Sequence, residues 1–262
     1  MMSVVVNNLS FSYGSHQVLH DISFSVEDGE FLSILGCNGV GKSTLFRCLL
    51  GLLNNYKGQV LINGVDTRKL PPAKMAKLVA YIPQNCSPTF NYSVEDVVLM
   101  GTTSGLNPLR SPGKKELERV DWALDKIGIS HLRKRCFHHI SGGERQLAVI
   151  ARALVQDAKL LMLDEPTASL DFGNQILVQE QARALADEGY TIIQTTHNPE
   201  QSYMFSDRVL AIKGGRVLCH GEPKQVMTKD VISQLYGIDV EISSLYDDNV
   251  RICMPGSFSR FT

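Results

Sequence analysis

The sequence lacks the features of proteins that are stabilised by disulfides or structural zinc, and of proteins that span a membrane. Its six cysteines are scattered and form no C-x-x-C pair, which excludes a zinc ribbon and provides no disulfide framework. No apolar run approaches the roughly eighteen residues that a membrane span requires. The first ten residues show no signal-peptide pattern. We therefore expect a protein of a reducing compartment with no membrane span of its own.

An excess of one charge is also missing. Lys and Arg total 26 against 27 Asp and Glu, and no acidic or basic block exceeds a few residues. This balance favours neither a nucleic-acid nor a lipid partner. Hydrophobic residues make up 44% of the 262-residue chain, which is enough to bury a sizeable core.

Short apolar segments alternate with helical patterns, which predicts an α/β fold. Runs such as LLML at 160–163 are typical of parallel strands that are buried on both faces. The predicted strands are 4–6, 22–26, 31–35, 60–62, 160–163 and 192–195, with a hairpin around Lys213, Gly214 and Gly215. From about 91 to 155 the pattern is mainly helical, and Ser93 with Asp96 resembles a capping box there.

The segment GCNGVGKST follows the strand FLSIL and precedes the helical run LFRCLLGLL. This is the pattern G-x-x-x-x-G-K-[ST] in the strand–loop–helix context of a phosphate-binding loop, or P-loop. Its glycines let backbone N–H groups approach a phosphate. Lys42 supplies charge to the β- and γ-phosphates, and Ser43 offers a hydroxyl to Mg²⁺. The predicted nucleotide-binding residues are Gly36, Cys37, Asn38, Gly39, Val40, Gly41, Lys42, Ser43 and Thr44.

Two adjacent carboxylates, Asp164 and Glu165, end the predicted strand in LLMLDEP. Neighbouring side chains in a strand point to opposite sides, so the pair can do two jobs. We predict that Asp164 holds Mg²⁺ and that Glu165 deprotonates the water that attacks the γ-phosphate. Gln84 and His197 follow other strand patterns and are candidates for Mg²⁺ binding and γ-phosphate contact, although each also fits a local hydrogen-bonding role.

The helix predicted in ISGGERQLAVIARAL, residues 140–154, starts with two glycines, the residues least able to favour a helix. A serine followed by glycines at a helix start indicates backbone N–H groups that face an anion. Ser141, Gly142 and Gly143 therefore predict a second phosphate-binding element, about a hundred residues after the first.

In this order, these motifs resemble the nucleotide-binding subunit of ATP-binding cassette (ABC) transporters over nearly the whole chain. The motifs are Tyr13, GCNGVGKST, Gln84, ISGGE, LLMLDEP with ASLD at 168–171, and His197. The resemblance implies a P-loop NTPase core of mostly parallel sheet, with an antiparallel β element and an inserted helical subdomain at about 91–155. It implies an ATPase domain at 1–220, a short extension of open role at 221–262, and ATP with Mg²⁺ as cofactors.

The resemblance also implies residue roles. Tyr13 stacks on adenine, although a tyrosine there equally fits core packing. The signature residues Ser141, Gly142, Gly143 and Glu144 bind a nucleotide held by a second copy of the chain, with Asp171 of the D-loop at the same interface. The catalytic residues are Lys42, Glu165 and His197, and the Mg²⁺ ligands are Ser43, Gln84 and Asp164. Ile140, Glu144 and Cys37 depart from the commoner residues, but none removes a group that the chemistry uses.

Segments 91–101, 196–223 and 235–242 resemble importers of metal chelates, a branch that handles ferric siderophores, haem, vitamin B12 and, in near relatives, molybdate or tungstate. In that branch an extracytoplasmic binding protein and integral membrane permease subunits choose the cargo. We therefore expect a peripheral subunit at the cytoplasmic face of the membrane, with no nucleic-acid partner. The alternatives are an exporter cassette and a soluble ABC ATPase without a membrane partner.

Overall fold

The computed structural model describes residues 2–84, 90–105 and 112–256. The strands are β1 Met2–Tyr13, β2 His16–Glu27, β3 Phe31–Leu35, β4 Lys57–Ile62, β5 Val65–Asp66, β6 Val79–Ile82, β7 Leu160–Asp164, β8 Thr191–Thr196, β9 Arg208–Lys213, β10 Arg216–Gly221, β11 Val240–Leu245 and β12 Val250–Pro255. The helices are α1 Lys42–Leu49, α2 Pro72–Leu78, α3 Val94–Leu99, α4 Lys114–Ile127, α5 Gly142–Leu154, α6 Phe172–Asp187, α7 Pro199–Phe205, α8 Pro223–Val226 and α9 Lys229–Tyr236. The chain forms two compact units, which we call the first unit (Met1–Lys69 with Thr191–Thr262) and the second unit (Leu70–Tyr190).

The first unit carries an antiparallel sheet and a parallel one. The antiparallel sheet has the order β2-β1-β4-β5. In the other, β3 pairs in parallel with both β8 and β9, and β10 pairs antiparallel with β9. Every residue of the apolar strand β3 is buried, and so is every residue of β8, although its sequence TIIQTT is mostly polar. The α/β prediction and the hairpin around Lys213 are confirmed.

The second unit combines the parallel pair β6–β7 with helices α2 to α6. The predicted helix α5 is present and buries Leu147, Ile150, Ala151 and Leu154, but every residue from Gln146 to Ala151 is buried, so the helix is covered on more than the one predicted face. The capping box before α3 is also present, because Ser93 Oγ accepts from the Asp96 amide at 3.1 Å and Asp96 Oδ2 accepts from the Ser93 amide at 2.9 Å. Among the described residues, no helix is long and apolar enough to cross a membrane.

The first two strands are much longer than predicted. Residues 4–6 and 22–26 are only parts of β1 and β2, which pair over twelve residues each. The pairing contains several register shifts, and Asn8 and Asp21 have positive φ. Such bulges interrupt the regular alternation of apolar and polar residues on which strand prediction depends.

Residues 222–256 form helices α8 and α9 and the hairpin β11–β12 of the first unit. Helix α9 and the hairpin β11–β12 pack on the parallel sheet through a buried cluster made of Leu35, Tyr203, Val209, Ala211, Met227, Ile232, Leu235 and Val240. Because Leu35 is the last residue of β3, this cluster reaches the strand that leads into the P-loop.

Candidate nucleotide-binding and catalytic site

The P-loop joins the buried end of β3 to the start of α1. Gly41, the residue before α1, has φ of 105°, and a Cβ there would lie 2.9 Å from Leu19 Cδ2. Only glycine fits this conformation and this close approach without strain. Among the described residues, no side chain caps α1, and its first turn contains no acidic residue. The amides and the helix dipole at this end therefore favour an anion.

The Lys42 side chain is held against the loop that it follows. It is buried, and Nζ donates to Gly36 O at 2.7 Å and to Cys37 O at 3.1 Å. These bonds hold the ammonium group at the base of the cradle, where it can meet the phosphates as a preorganised point charge. Ser43, one residue further into α1, is exposed, as a ligand for a metal bound with the nucleotide has to be.

Strand pairing brings His197 beside the beginning of the P-loop. Leu35 is in register with Thr196, and the Gly36 amide donates to Thr196 O at 3.3 Å. His197 follows directly and is exposed, while Asn198 begins α7 by accepting from the Gln201 amide at 3.0 Å. The carboxyl ends of two parallel strands thus carry the P-loop and His197 together, the usual place for a ligand site in an α/β fold.

Tyr13 lies at the end of β1 in the same unit. Its ring is 45% exposed and contacts Phe11 edge to face, with ring centroids 4.8 Å apart. Tyr13 is therefore not a fully buried core residue, and its stacking on adenine stays a prediction.

In the second unit, Asp164 ends β7 and Glu165 begins a turn. The Tyr81 hydroxyl donates to Asp164 Oδ2 at 3.2 Å, and both carboxylates are half-buried. Glu165 has φ of 45°, a left-handed conformation that costs roughly 1 kcal/mol or more for a residue with a side chain. Because the strand ends at Asp164, the turn, and not strand alternation as we predicted, sets the direction of Glu165.

Gln84 lies at the same end of the β6–β7 pair as these carboxylates. Ile82 is in register with Leu163, and Gln84 follows Ile82 by two residues with its side chain exposed. Gln84 is the last residue described before 90, so its neighbours at 85–89 lie outside the described residues.

The signature segment starts α5 with a complete capping box. Ser141 Oγ accepts from the Glu144 amide at 3.2 Å, and Glu144 Oε2 accepts from the Ser141 amide at 2.7 Å. These hydrogen bonds, from the Ser141 amide first, lower the pKa of Glu144, so the carboxylate is ionised at neutral pH. The capping hydrogen bonds involve the backbone amides of Ser141 and Glu144. They do not involve the amides of Gly142 and Gly143.

The two signature glycines face different surroundings. A Cβ at Gly143 would lie 2.0 Å from Asn174 Oδ1 on α6, whereas a Cβ at Gly142 would meet only Leu170 Cδ2, at 3.2 Å. Asn174 in turn donates from Nδ2 to Asp171 Oδ2 at 2.6 Å, and Asp171 caps α6. Gly143 is thus required by the close packing of α5 on α6. The same packing holds the D-loop residue Asp171 near the signature segment.

Sequence analysis missed Tyr81 and Asn174. Tyr81 carries a weak signal, as an aromatic residue near the end of an apolar strand, but its contact with Asp164 depends on the pairing of β6 with β7. Asn174 carries no sequence signal, because its close approach to Gly143 depends on the distance between α5 and α6.

The residues predicted to hold Mg²⁺ suit that ion. Among the described residues, no three His, Cys, Asp or Glu side chains form a metal-binding cluster. Mg²⁺ does not need such a cluster, since it is commonly held by one or two protein oxygens together with substrate phosphates and water. Such oxygen ligands are provided by the Ser43 hydroxyl, the Gln84 amide oxygen and the Asp164 carboxylate.

Comparison with known proteins identifies the family. Residues 19–168 match the ABC transporter family. The chain belongs to that family. It is 36% identical over 242 residues to an ABC transporter ATP-binding protein of Haemophilus influenzae, with 92% of each chain covered. It is also 36% identical to the hemin import ATP-binding protein of Bradyrhizobium diazoefficiens, over 98% of this chain and 96% of the relative.

A solved structure agrees with the ABC assignment. One chain of an inward-facing transporter described as metal-chelate type superposes with a TM-score of 0.88 at 31% identity, covering 99% of both chains. The ABC cassette fold of this chain is confirmed, and as an ATP-binding subunit of the family it is an ATPase.

Proposed function

We propose that this ABC ATPase powers the import of a metal chelate. The relative named for hemin import and the structural neighbour of metal-chelate type support this cargo class. Ferric siderophores, haem, cobalamin and molybdate or tungstate all remain within the proposal. The cargo itself would be chosen by an extracytoplasmic binding protein and by integral membrane permease subunits.

The proposed site is composite. The observation that carries it is the presence of two helix starts suited to phosphate in one chain, one at the P-loop and one at the signature segment. We propose that the signature residues 141–144 contact ATP held by the P-loop of a second copy, with Asp171 at the same interface. A twofold axis would then produce two complete sites, and ATP would join the subunits until hydrolysis separates them.

Within each site, we assign one task to each group. Tyr13 stacks on adenine, the P-loop amides and Lys42 bind the phosphates, and His197 contacts the γ-phosphate. Ser43, Gln84 and Asp164 would hold Mg²⁺, which neutralises phosphate charge when bound. Glu165 takes the proton of the attacking water. The left-handed backbone of Glu165 supports this role, because such strain persists where the surroundings fix one orientation of a side chain.

A surface cavity in the second unit suits a membrane partner. It measures about 390 Å³ and is lined by residues of β6, α5 and the segment after α3, among them Tyr81, Met100, Thr103, Arg152 and Gln156. Tyr81 and Met100 are both more than one-third exposed, and aromatic and methionine side chains are common at binding surfaces. We propose that a cytoplasmic helix of the permease docks here and that the chain is peripheral to the membrane.

Glu165→Gln tests the catalytic assignment. The amide keeps the shape of the side chain but cannot accept the proton, so the variant should bind ATP without turnover. We expect it to form a stable dimer at saturating ATP, measured by light scattering during gel filtration. Glu180→Gln, an acid-to-amide change at an exposed position within α6, is the matched control and should behave as the wild type. A Glu165→Gln protein that stays monomeric in ATP would contradict the mechanism.

Co-purification tests the transport assignment. The tagged chain should recover an integral membrane protein and, with it, a binding protein that can be screened against siderophores, haem, cobalamin and oxyanions. Recovery of ribosomes or DNA at physiological salt would instead support a soluble ABC ATPase. A membrane complex that exports its cargo and has no binding protein would support the exporter alternative.

A further inference from the structure

The end of helix α9 contacts both loops of the ATP site that lie in the first unit. The Tyr236 hydroxyl donates to the His197 backbone oxygen at 2.6 Å. One residue earlier, Leu235 O accepts from the Cys37 thiol in the P-loop, with Sγ and O 3.4 Å apart. The Leu235 side chain also packs in the buried cluster with Leu35, the last residue before the loop. A single helix end thus touches the P-loop and the His197 loop together.

Helix α9 and the hairpin are also attached to other parts of the first unit. Lys229, in the first turn of α9, pairs with Glu241 of β11 at 2.5 Å. Glu200 of α7 accepts from the Cys253 amide of β12 at 3.3 Å. Because α7 starts two residues after His197, the hairpin contacts the helix that continues from the His197 loop, while α9 contacts the loop itself.

The chemistry of the Tyr236 contact suits a permanent restraint. Burial raises the pKa of the Tyr236 phenol, so the hydroxyl stays protonated and remains a donor throughout the neutral range. Its acceptor is a backbone oxygen, so the bond restrains the path of the loop and leaves the chemistry of the His197 ring unchanged. Tyr236 is half-buried, whereas His197 is exposed, so the bond ties an exposed loop to a side chain that is anchored by its own packing.

We propose that Tyr236 is a positioning residue for hydrolysis, which holds the His197 loop in register with the P-loop from the C-terminal extension. This inference rests on the proposed role of His197 at the γ-phosphate. ATP binding depends mainly on the P-loop, whereas hydrolysis also depends on where His197 lies. Loss of the restraint should therefore lower the rate of the chemical step and spare the affinity for nucleotide.

Tyr236→Phe removes only the hydroxyl. We expect kcat for ATP to fall by about two- to tenfold, the range that one hydrogen bond can supply, with KM and the Kd for ATP changed less than about twofold. The matched control is Tyr56→Phe. The buried Tyr56 hydroxyl shares a hydrogen bond with Thr67 Oγ1 at 3.0 Å, so the change removes one phenol hydrogen bond in the same unit, between residues that belong neither to the His197 loop nor to α7, α9 or the hairpin. Its kcat should stay within about twofold of the wild type.

Four outcomes decide whether Tyr236 positions the His197 loop. A lower kcat in Tyr236→Phe alone, with melting temperatures of both variants shifted alike, supports the positioning role. Equal kcat values in the two variants, whether normal or reduced, overturn it. His197→Ala separates this inference from the proposed function: if His197→Ala is inactive and Tyr236→Phe is normal, only the inference fails. If His197→Ala is fully active, the assigned role of His197 fails, and the inference fails with it.

Discussion

Adding one methyl group at Gly143 should cost far more stability than adding it at Gly142. At Gly143 the new Cβ would lie 2.0 Å from Oδ1, 2.3 Å from Cγ and 2.8 Å from Cβ of Asn174. Rotating Asn174 can move Oδ1 and Cγ but not Cβ, so α5 and α6 must shift. Overpacking of this kind costs roughly 1–3 kcal/mol.

Two smaller effects nearly cancel in Gly143→Ala. Moving the Asn174 amide breaks its hydrogen bond to Asp171, which lowers the free energy of unfolding by about 1 kcal/mol. Replacing glycine by alanine in a helix raises it by about 1 kcal/mol. We therefore expect a net loss of about 1–3 kcal/mol in the free energy of unfolding, which lowers the melting temperature by roughly 2–12 °C. Gly142→Ala meets only the flexible end of Leu170, so overpacking does not offset the helix gain, and the free energy of unfolding should stay the same or rise by up to about 1 kcal/mol.

Thermal unfolding followed by circular dichroism measures the difference between these two variants. In an Asn174→Ala background, the Gly143→Ala substitution should cost less than in the wild type, because the two closest atoms are gone. Equal stability of Gly142→Ala and Gly143→Ala would refute the packing argument. An undiminished cost of Gly143→Ala in the Asn174→Ala background would refute the choice of Asn174 as the obstacle.

The remaining predictions concern two glutamates. Hydrogen bonds from Arg133 and Lys134 hold the pKa of Glu95 at about 2, below its usual 4.5. The ionised carboxylate therefore stabilises the fold fully above about pH 4.5, and this stabilisation is lost as the pH falls towards 2. In urea unfolding, Glu95→Gln should lower the free energy of unfolding by roughly 1–2 kcal/mol at pH 7 and by almost nothing near pH 2. A difference between variant and wild type that is the same at both pH values would contradict this. Glu144→Gln removes a negative charge beside the proposed phosphate contact, while the new amide oxygen can still accept from the Ser141 amide. The dissociation constant of the ATP-dependent dimer, measured by sedimentation, should therefore fall by about two- to fivefold. Weaker dimers would count against that contact.

Local sequence signals predicted the parts of the site that are built from consecutive residues. The P-loop between β3 and α1 depends on neighbouring positions: an apolar strand, glycines in the loop and a helix start. The helix that follows Ser141 was predictable for the same reason, because a serine cap and an apolar face lie within one segment. Both elements have the predicted form.

Features that depend on distant residues were not predictable. The left-handed turn at Glu165 has no glycine or asparagine to announce it. The bulges of β1 and β2 hide their length, because each bulge shifts the alternation by one residue. The contact of Tyr236 with His197 joins residues 39 positions apart, and only the packing of α9 on the sheet brings them together.

Mixing two inactive variants tests the composite site most directly. Lys42→Ala removes the phosphate-binding charge of the P-loop, and Ser141→Arg places a bulky side chain at the signature segment; both are made with Glu165→Gln, so that ATP is retained. A mixed dimer contains one site with both changes and one site with neither. We predict that neither variant dimerises alone with ATP and that an equimolar mixture does, as measured by light scattering. Dimers of Ser141→Arg alone, or a mixture that stays monomeric, would contradict the account.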